Sequence, residues 1–319
     1  MKNLDLDNNL ADNINIDTHD NDVDTITTIS TRDIEPDDKE DAKCAPTAKF
    51  SSGSCIDLLV LIAMAEAYNE TNKEKIKMHP KLETLNPTKY KKYLLKEIGN
   101  RYENVCDTQF CWTQQDFIKK MDKLTKDELL KFTWRPEGPE GQFEWLNTTH
   151  LNEVMAQYEK AYDGFKFLGA VPMDFDKLPM LELDDQHIRK HVNDKITRFG
   201  IIYNLDEHWQ KGSHWVASYF DLEKGYIYYF DSYGIAPEKR VRTLLRRFAV
   251  ISENDFGTKL DARHNKVRQQ YGNSECGMFS LNFILKLLEG NNFDDVCNKK
   301  ISDDDVNRLR PIFFKNVNF

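Results

Sequence analysis

Apolar side chains at Ile56, Leu59, Val60, Met64 and Ala67 recur with helical spacing and predict a helix that Ser54 can cap. Further helical periods run over Lys89–Ile98, Gln114–Leu124 and Lys126–Phe132, and Trp145–Tyr162 reads as a helix starting near Thr148 or Thr149. Between them, Arg135-Pro-Glu-Gly-Pro-Glu-Gly141 interrupts regular structure. Beyond residue 162 the character changes. Phe165–Val171 (closed by Pro172), Ile196–Tyr203, Trp215–Phe220 and Tyr226–Phe230 are short, apolar, aromatic and β-branched runs that predict strands. Asp221-Leu-Glu-Lys-Gly225 reads as a hairpin connection. Pro237–Val250 predicts a helix with one basic side. Cys276–Leu288, apolar nearly all round, predicts a central, buried helix.

This order implies an α+β protein: a helical N-terminal region over 46–130, then a mixed region over 131–319. Residues 1–45 hold no aromatic residue and no sustained apolar period, so they are expected to remain disordered. Residues 1–43 carry 13 acids and 4 bases, which accounts for the whole net charge of −9. The balanced remainder lacks the basic excess of a nucleic-acid binder. The acidic segment is read as a solvating tail, with a docking peptide for a basic partner as the alternative. The longest apolar run, the eight residues Leu58–Ala65, falls short of the ~18 residues of a membrane span. Acids at short intervals through the first thirty residues argue against a secretory or mitochondrial leader. The six cysteines are scattered, which argues for reduced thiols rather than a disulfide framework.

Candidate chemistry lies on the hairpin. Opposed residues of an antiparallel pair have a constant index sum. If Phe220 faces Gly225, that sum places His214 opposite Asp231, an arrangement that orients an imidazole base. Cys276 opens the buried helix, where the positive end of the helix dipole favours a thiolate, the nucleophilic form. Gly277 leaves room for a substrate backbone beside the sulfur. Gln270, six residues earlier, can donate from its amide to a developing oxyanion together with the Cys276 N–H.

Gly212-Ser-His-Trp215, Tyr229-Phe-Asp-Ser232, Gln270-Tyr-Gly-Asn-Ser-Glu-Cys-Gly-Met-Phe279 and Trp145-Leu-Asn-Thr148 together resemble the signature of the ubiquitin-like-protease and adenain group of cysteine peptidases. Phe165-Lys-Phe-Leu-Gly-Ala-Val-Pro172 and Gly200-Ile-Ile-Tyr-Asn-Leu-Asp206 are similar to the polyprotein-processing proteases of large DNA viruses, of asfarvirus and mimivirus type. The resemblance implies a papain-like core in which a small mixed sheet packs on the nucleophile helix. It also implies a Cys276–His214–Asp231 triad with Gln270 at the oxyanion, and no metal or organic cofactor. By the same resemblance, Trp145 and Trp215 wall a tunnel that admits glycine, and the enzyme cuts after Gly-Gly in viral structural precursors, in the virion or a cytoplasmic virus factory. The alternatives are removal of ubiquitin-like proteins such as SUMO, for which Thr148 departs from the usual Asp, and acyl transfer with the same triad. None of the 14 glycines adjoins another, so on that rule the chain is not its own substrate.

Other chemistry-bearing residues have plainer readings. Cys55 also stands near a helix start, but no His–Asp hairpin is linked to it. Cys106 and Cys111 lack a second pair to complete a zinc site, so burial is expected. His187 and His191 are read as a solvated helix face. His208 lies in a polar loop near His214. Arg240, Arg242, Arg246 and Arg247 form a basic helix face, read as solvated, with contact to an acidic partner or a DNA cofactor as the alternative.

Overall fold

The structure, a computed structural model, describes residues 43–141 and 143–315. The expected tail falls outside these residues except at its end. There the chain is ordered, because Cys44 and Ala45 are buried and the Ala45 N–H donates to Thr133 O at 3.1 Å. Two compact units form. Of the described residues, one unit comprises 43–138 together with 311–315, the other 139–310.

In the first unit, helices α1 (Leu58–Thr71), α2 (Pro80–Leu85), α3 (Pro87–Tyr102) and α4 (Lys123–Phe132) enclose a core that includes Leu61, Met64, Tyr90, Leu94, Ile98, Phe117 and Leu129. Asp57, not Ser54, occupies the cap position of α1, since the Ser54 hydroxyl accepts from Ile56 N at 2.9 Å. Gln114–Leu124 is not a continuous helix: a 3-10 stretch, Asp116–Lys120, precedes α4, whose N-cap is Asp122. The expectation of reduced cysteines is corrected here, because Cys44 bonds to Cys55 and Cys106 to Cys111, each pair with Cα atoms 5.4 Å apart. A β-bridge between Cys44 and Trp134 ties the N-terminal end of this unit down beside its last residues. Residues 131–138 and 311–315, expected with the mixed region, belong to this unit. Arg135 Nη1 donates to Pro311 O at 2.5 Å, Lys315 N donates to Pro136 O at 3.1 Å, and Phe314 packs on Gly138.

In the second unit the α+β reading holds. Helix α5 (Thr148–Ala161) precedes β1 (Phe165–Pro172), and α6 (Asp185–Asn193) separates it from β2 (Arg198–Asn204), β3 (Trp215–Asp221) and β4 (Tyr226–Phe230). Helix α7 (Lys239–Phe256) leads to β5 (Asp261–His264), a strand the periodicity does not reveal. Helices α8 (Cys276–Leu288), α9 (Phe293–Asn298) and α10 (Asp303–Asn307) follow. The sheet order is β1-β2-β3-β4-β5, with parallel outer pairs and antiparallel inner ones.

Both faces of the central strands are covered, which is why they read as continuous apolar runs. Phe199, Tyr203, Phe220, Ile227 and Tyr229 join Leu244, Leu245 and Phe248 of α7 in one cluster, with Phe220 stacked on Phe248 at 3.8 Å. On the other face Phe230 stacks on Phe283 of α8 at 5.0 Å. Gly200 lets that helix close on the sheet, since a Cβ there would stand 3.1 Å from both Ile284 Cγ2 and Phe165 Cζ. Such burial of an apolar helix stabilises the fold at roughly 25 cal/mol per Å² of apolar area.

The hairpin register differs from expectation by one residue on each strand. Asp221 faces Tyr226 and Ala217 faces Phe230, and the ladder ends there, with His214 and Asp231 just beyond it on their two strands. The cause is Gly225. Its φ of +72° belongs to the turn, and a Cβ there would meet Lys259 O at 2.3 Å. The shift preserves parity, so His214 and Asp231 stay on one face as diagonal neighbours.

Candidate active site

Cys276 is the first residue of α8 and is 2 % exposed. His214, just before β3, sends Nε2 to Asp231 Oδ1 at 2.7 Å and makes a second side-chain hydrogen bond to Cys276. An imidazole has two ring nitrogens, so Nδ1 is the one left for the sulfur. Tyr233, in the turn that follows β4, stacks on the imidazole with ring centroids 4.4 Å apart. Burial alone would lower the His214 pKa. The hydrogen bonds to Asp231 and Cys276, with the charges of both, outweigh it and hold the imidazole up at about 9.

Asp231 is fixed by residues that the motifs do not include. Its N–H donates to Asn265 Oδ1 at 2.9 Å, and Asn265 Nδ2 donates back to Asp231 O at 2.7 Å. Asn265 directly follows β5, so the unrecognised strand delivers it. The Asp231 carboxylate also accepts from Tyr233 N at 2.8 Å.

Gln270 is fully buried. The Ser232 hydroxyl donates to its Oε1 at 2.6 Å, and its Nε2 donates to Gly272 O at 3.1 Å. The Ser232 bond settles which way the amide points, leaving one Nε2 hydrogen unpaired among the described residues. The loop from Gln270 to Cys276 is braced from α10. Asp303 accepts from Tyr271 N at 2.9 Å and Gly272 N at 2.7 Å. Glu275 accepts from Ser274 Oγ at 2.8 Å and Asn307 Nδ2 at 3.1 Å. Arg310, fully buried, donates to Asn307 Oδ1 and Glu144 O, both at 2.9 Å. Nothing in composition or periodicity marks these C-terminal residues. A buried arginine is visible only once its neighbours are placed.

Trp215 is 5 % exposed and Trp145 is 46 % exposed. Trp215 Nε1 donates to Leu146 O at 2.8 Å and so holds the segment that carries Trp145. Gly277 also serves the packing of this segment. Its missing Cβ accommodates Leu146, whose own Cβ would lie 3.0 Å away, so Gly277 seats the Trp145–Leu146 segment on α8. The cap of α5 is Asn147, which accepts from His150 N at 2.9 Å, rather than either threonine.

The remaining candidates lie elsewhere. Cys55 and the Cys106–Cys111 pair are consumed in disulfides. Cys297 is buried, and burial pushes its thiol well up. His187 binds the α6 cap Asp184 at 2.8 Å, His191 packs edge-on to Phe199, and His208 pairs with Asp174 at 2.7 Å. The basic side of α7 is largely paired within its own unit: Arg240 meets Glu207 at 3.0 Å and Arg247 meets Asp185 at 2.6 Å. Among the described residues, no group of three or more His, Cys, Asp or Glu is placed to hold a metal ion, and no helix is long and apolar enough to cross a membrane.

The sequence pattern of the Ulp1 protease family, C-terminal catalytic domain, matches residues 201–318. A thiol protease of Acanthamoeba polyphaga mimivirus is 34 % identical over 273 residues, spanning 83 % of this chain and 90 % of the viral protein. This chain belongs to the Ulp1-like family of cysteine proteases. Another Ulp1-like relative, a SUMO-1 cysteine protease of African swine fever virus (isolate Tick/South Africa/Pretoriuskop Pr4/1996), is 23 % identical over 227 residues, covering 66 % of this chain and 83 % of that one. The crystal structure of an African swine fever virus protease shares the fold, with a TM-score of 0.57 at 19 % identity, over 85 % of this chain and 98 % of that chain. That likeness spans the helical N-terminal region as well as the sheet and the helix that Cys276 begins.

Proposed function

We propose that Cys276, His214 and Asp231 form the catalytic triad of an endopeptidase that cuts after Gly-Gly in viral structural precursors. The observation that carries this reading is the buried His214, bonded to Asp231 at 2.7 Å on one side and to Cys276 on the other. In this mechanism the Cys276 thiolate attacks the scissile carbonyl. The oxyanion is held by the Cys276 N–H and the free Nε2 hydrogen of Gln270, whose orientation Ser232 secures. The His214 imidazolium gives its proton to the leaving amine, and the neutral imidazole then activates water to release the acyl group. Asp231 orients the ring throughout. The chemistry calls for no metal or organic cofactor.

Trp145 and Trp215, linked through Leu146, are the proposed walls of the glycine site. Two viral proteases among the relatives support precursor processing, in the virion or in a cytoplasmic virus factory. The name SUMO-1 cysteine protease of one of them supports the second reading, removal of a ubiquitin-like protein. Purified enzyme given a Gly-Gly-X peptide series beside SUMO and ubiquitin conjugates separates the two. Cleavage of the peptides with the conjugates left intact is expected, and the converse pattern would establish deconjugation. Trp145→Ala is the cleaner probe of the glycine walls, because Trp215 also anchors Leu146. It should raise the kcat/KM for Gly-Ala relative to Gly-Gly peptides about tenfold. An unchanged ratio would remove Trp145 from the specificity site.

A further inference from the structure

Arg268 stands two residues before Gln270 and is exposed. Its guanidinium carbon lies 5.0 Å from the centre of the Tyr233 ring and 4.9 Å from that of Tyr271. The imidazole of His214 covers one face of the same Tyr233 ring. Arg268 Nε donates to Gln270 O at 2.8 Å, while its two terminal nitrogens make no hydrogen bond and no ion pair with any described residue. Lys300 adds a second cation, 4.6 Å from the Tyr271 ring, and Tyr271 is 60 % exposed. Asp303, a carboxylate beside Tyr271, is engaged by the backbone N–H groups of Tyr271 and Gly272.

A surface arginine ordinarily loses side-chain entropy when it binds an anion. This one is already held by two rings and one hydrogen bond, with its carboxylate-binding edge vacant. Its place in the cleft gives it a use. His214 hands its proton to the departing amine, so the C-terminal product leaves on the imidazole's side, while Leu146 and Trp215 occupy the side of Gly277. Successive separations of 4.4 and 5.0 Å through the Tyr233 ring set an upper limit on how far the guanidinium lies from that imidazole. An extended substrate advances roughly 3.3 Å per residue, so the guanidinium falls within about two to three residues of the cut.

We propose that Arg268, braced by Tyr233 and Tyr271 and backed by Lys300, is a leaving-side subsite for an acidic residue two or three positions after the scissile bond. The inference rests on the proteolytic reading above. The test is a peptide series cut after Gly-Gly, with Glu, Gln or Lys at the second and third positions beyond the cut. It is run on the full chain and on Arg268→Gln and Arg268→Glu. The readout is the ratio of kcat/KM for Glu over Lys within each protein, which a general loss of activity or folding does not move. The wild-type chain should favour Glu about tenfold, chiefly through KM and less so at high salt. The ratio should fall to about one in Arg268→Gln and invert in Arg268→Glu. Peptides all cleaved with a wild-type ratio near one, or a ratio unchanged in Arg268→Glu, would overturn the subsite alone. Failure to cleave any peptide of the series would overturn the Gly-Gly reading and the subsite with it.

Discussion

Replacing Cys276 with Ser should lower peptide hydrolysis by about a thousandfold or more while the chain stays folded. A serine hydroxyl at the start of α8 has far too little alkoxide character to replace a thiolate. The change is nearly isosteric at a buried site, so the midpoint of thermal unfolding should hardly move. The same experiment has an internal comparison. Four of the six cysteines are paired, and Cys297 is buried without an acid–base partner. An alkylating reagent should therefore find one fast-reacting thiol in the native wild-type chain and none in Cys276→Ser, and Cys297→Ser should retain its activity. A fast thiol that survives in Cys276→Ser, or more than about a tenth of wild-type turnover, would exclude Cys276 as the nucleophile.

What was legible in the sequence follows from where each residue sits. Cys276–Leu288 and Tyr226–Phe230 are found at the expected boundaries because they are buried on both sides and flanked by polar residues or glycine. Two of the four motifs, around Asp231 and Cys276, lie at the ends of those elements, while the other two lead into β3 and α5. The polar supports are not legible. Asn265, Asp303, Asn307 and Arg310 come from short or amphipathic segments after α7, where a four-residue strand and one-turn helices leave no period to read. The disulfides were hidden because Cys44 and Cys55 meet through a loop, and the return of residues 311–315 to the helical unit depends on backbone bonds that leave no trace in composition. The hairpin sum identified the right pair through a register one residue off on each strand. Only parity matters for placing His214 and Asp231 on the same face. Tyr233 lies in the turn after β4, which a strand register does not reach, so nothing in the pattern marks it.

Asp231→Ala tests the electrostatics of the pair as well as its geometry. The hydrogen bond of Asp231 is the foremost influence raising His214 to about 9 against the cost of burial, and after the bond to Cys276 its charge adds to that effect. Without them the imidazolium should lose its proton at lower pH. Leaving-amine protonation requires that proton, so the basic limb of the kcat/KM profile, near pH 9 in the wild-type chain, should shift downward in Asp231→Ala. The rate at the optimum should fall about a hundredfold, less than in His214→Ala, which removes the proton carrier itself. The same linkage predicts a stability signature. A histidine raised above its unfolded value of ~6.5 stabilises the fold fully below that pH, and the contribution disappears as pH rises through the folded value. The stability gap between wild type and Asp231→Ala should therefore be wide near pH 6 and narrow on passing pH 9. A basic limb that stays in place while the rate falls would mean that Asp231 acts through ring orientation alone. A gap that widens with rising pH would contradict the charged pairing of His214 with Asp231.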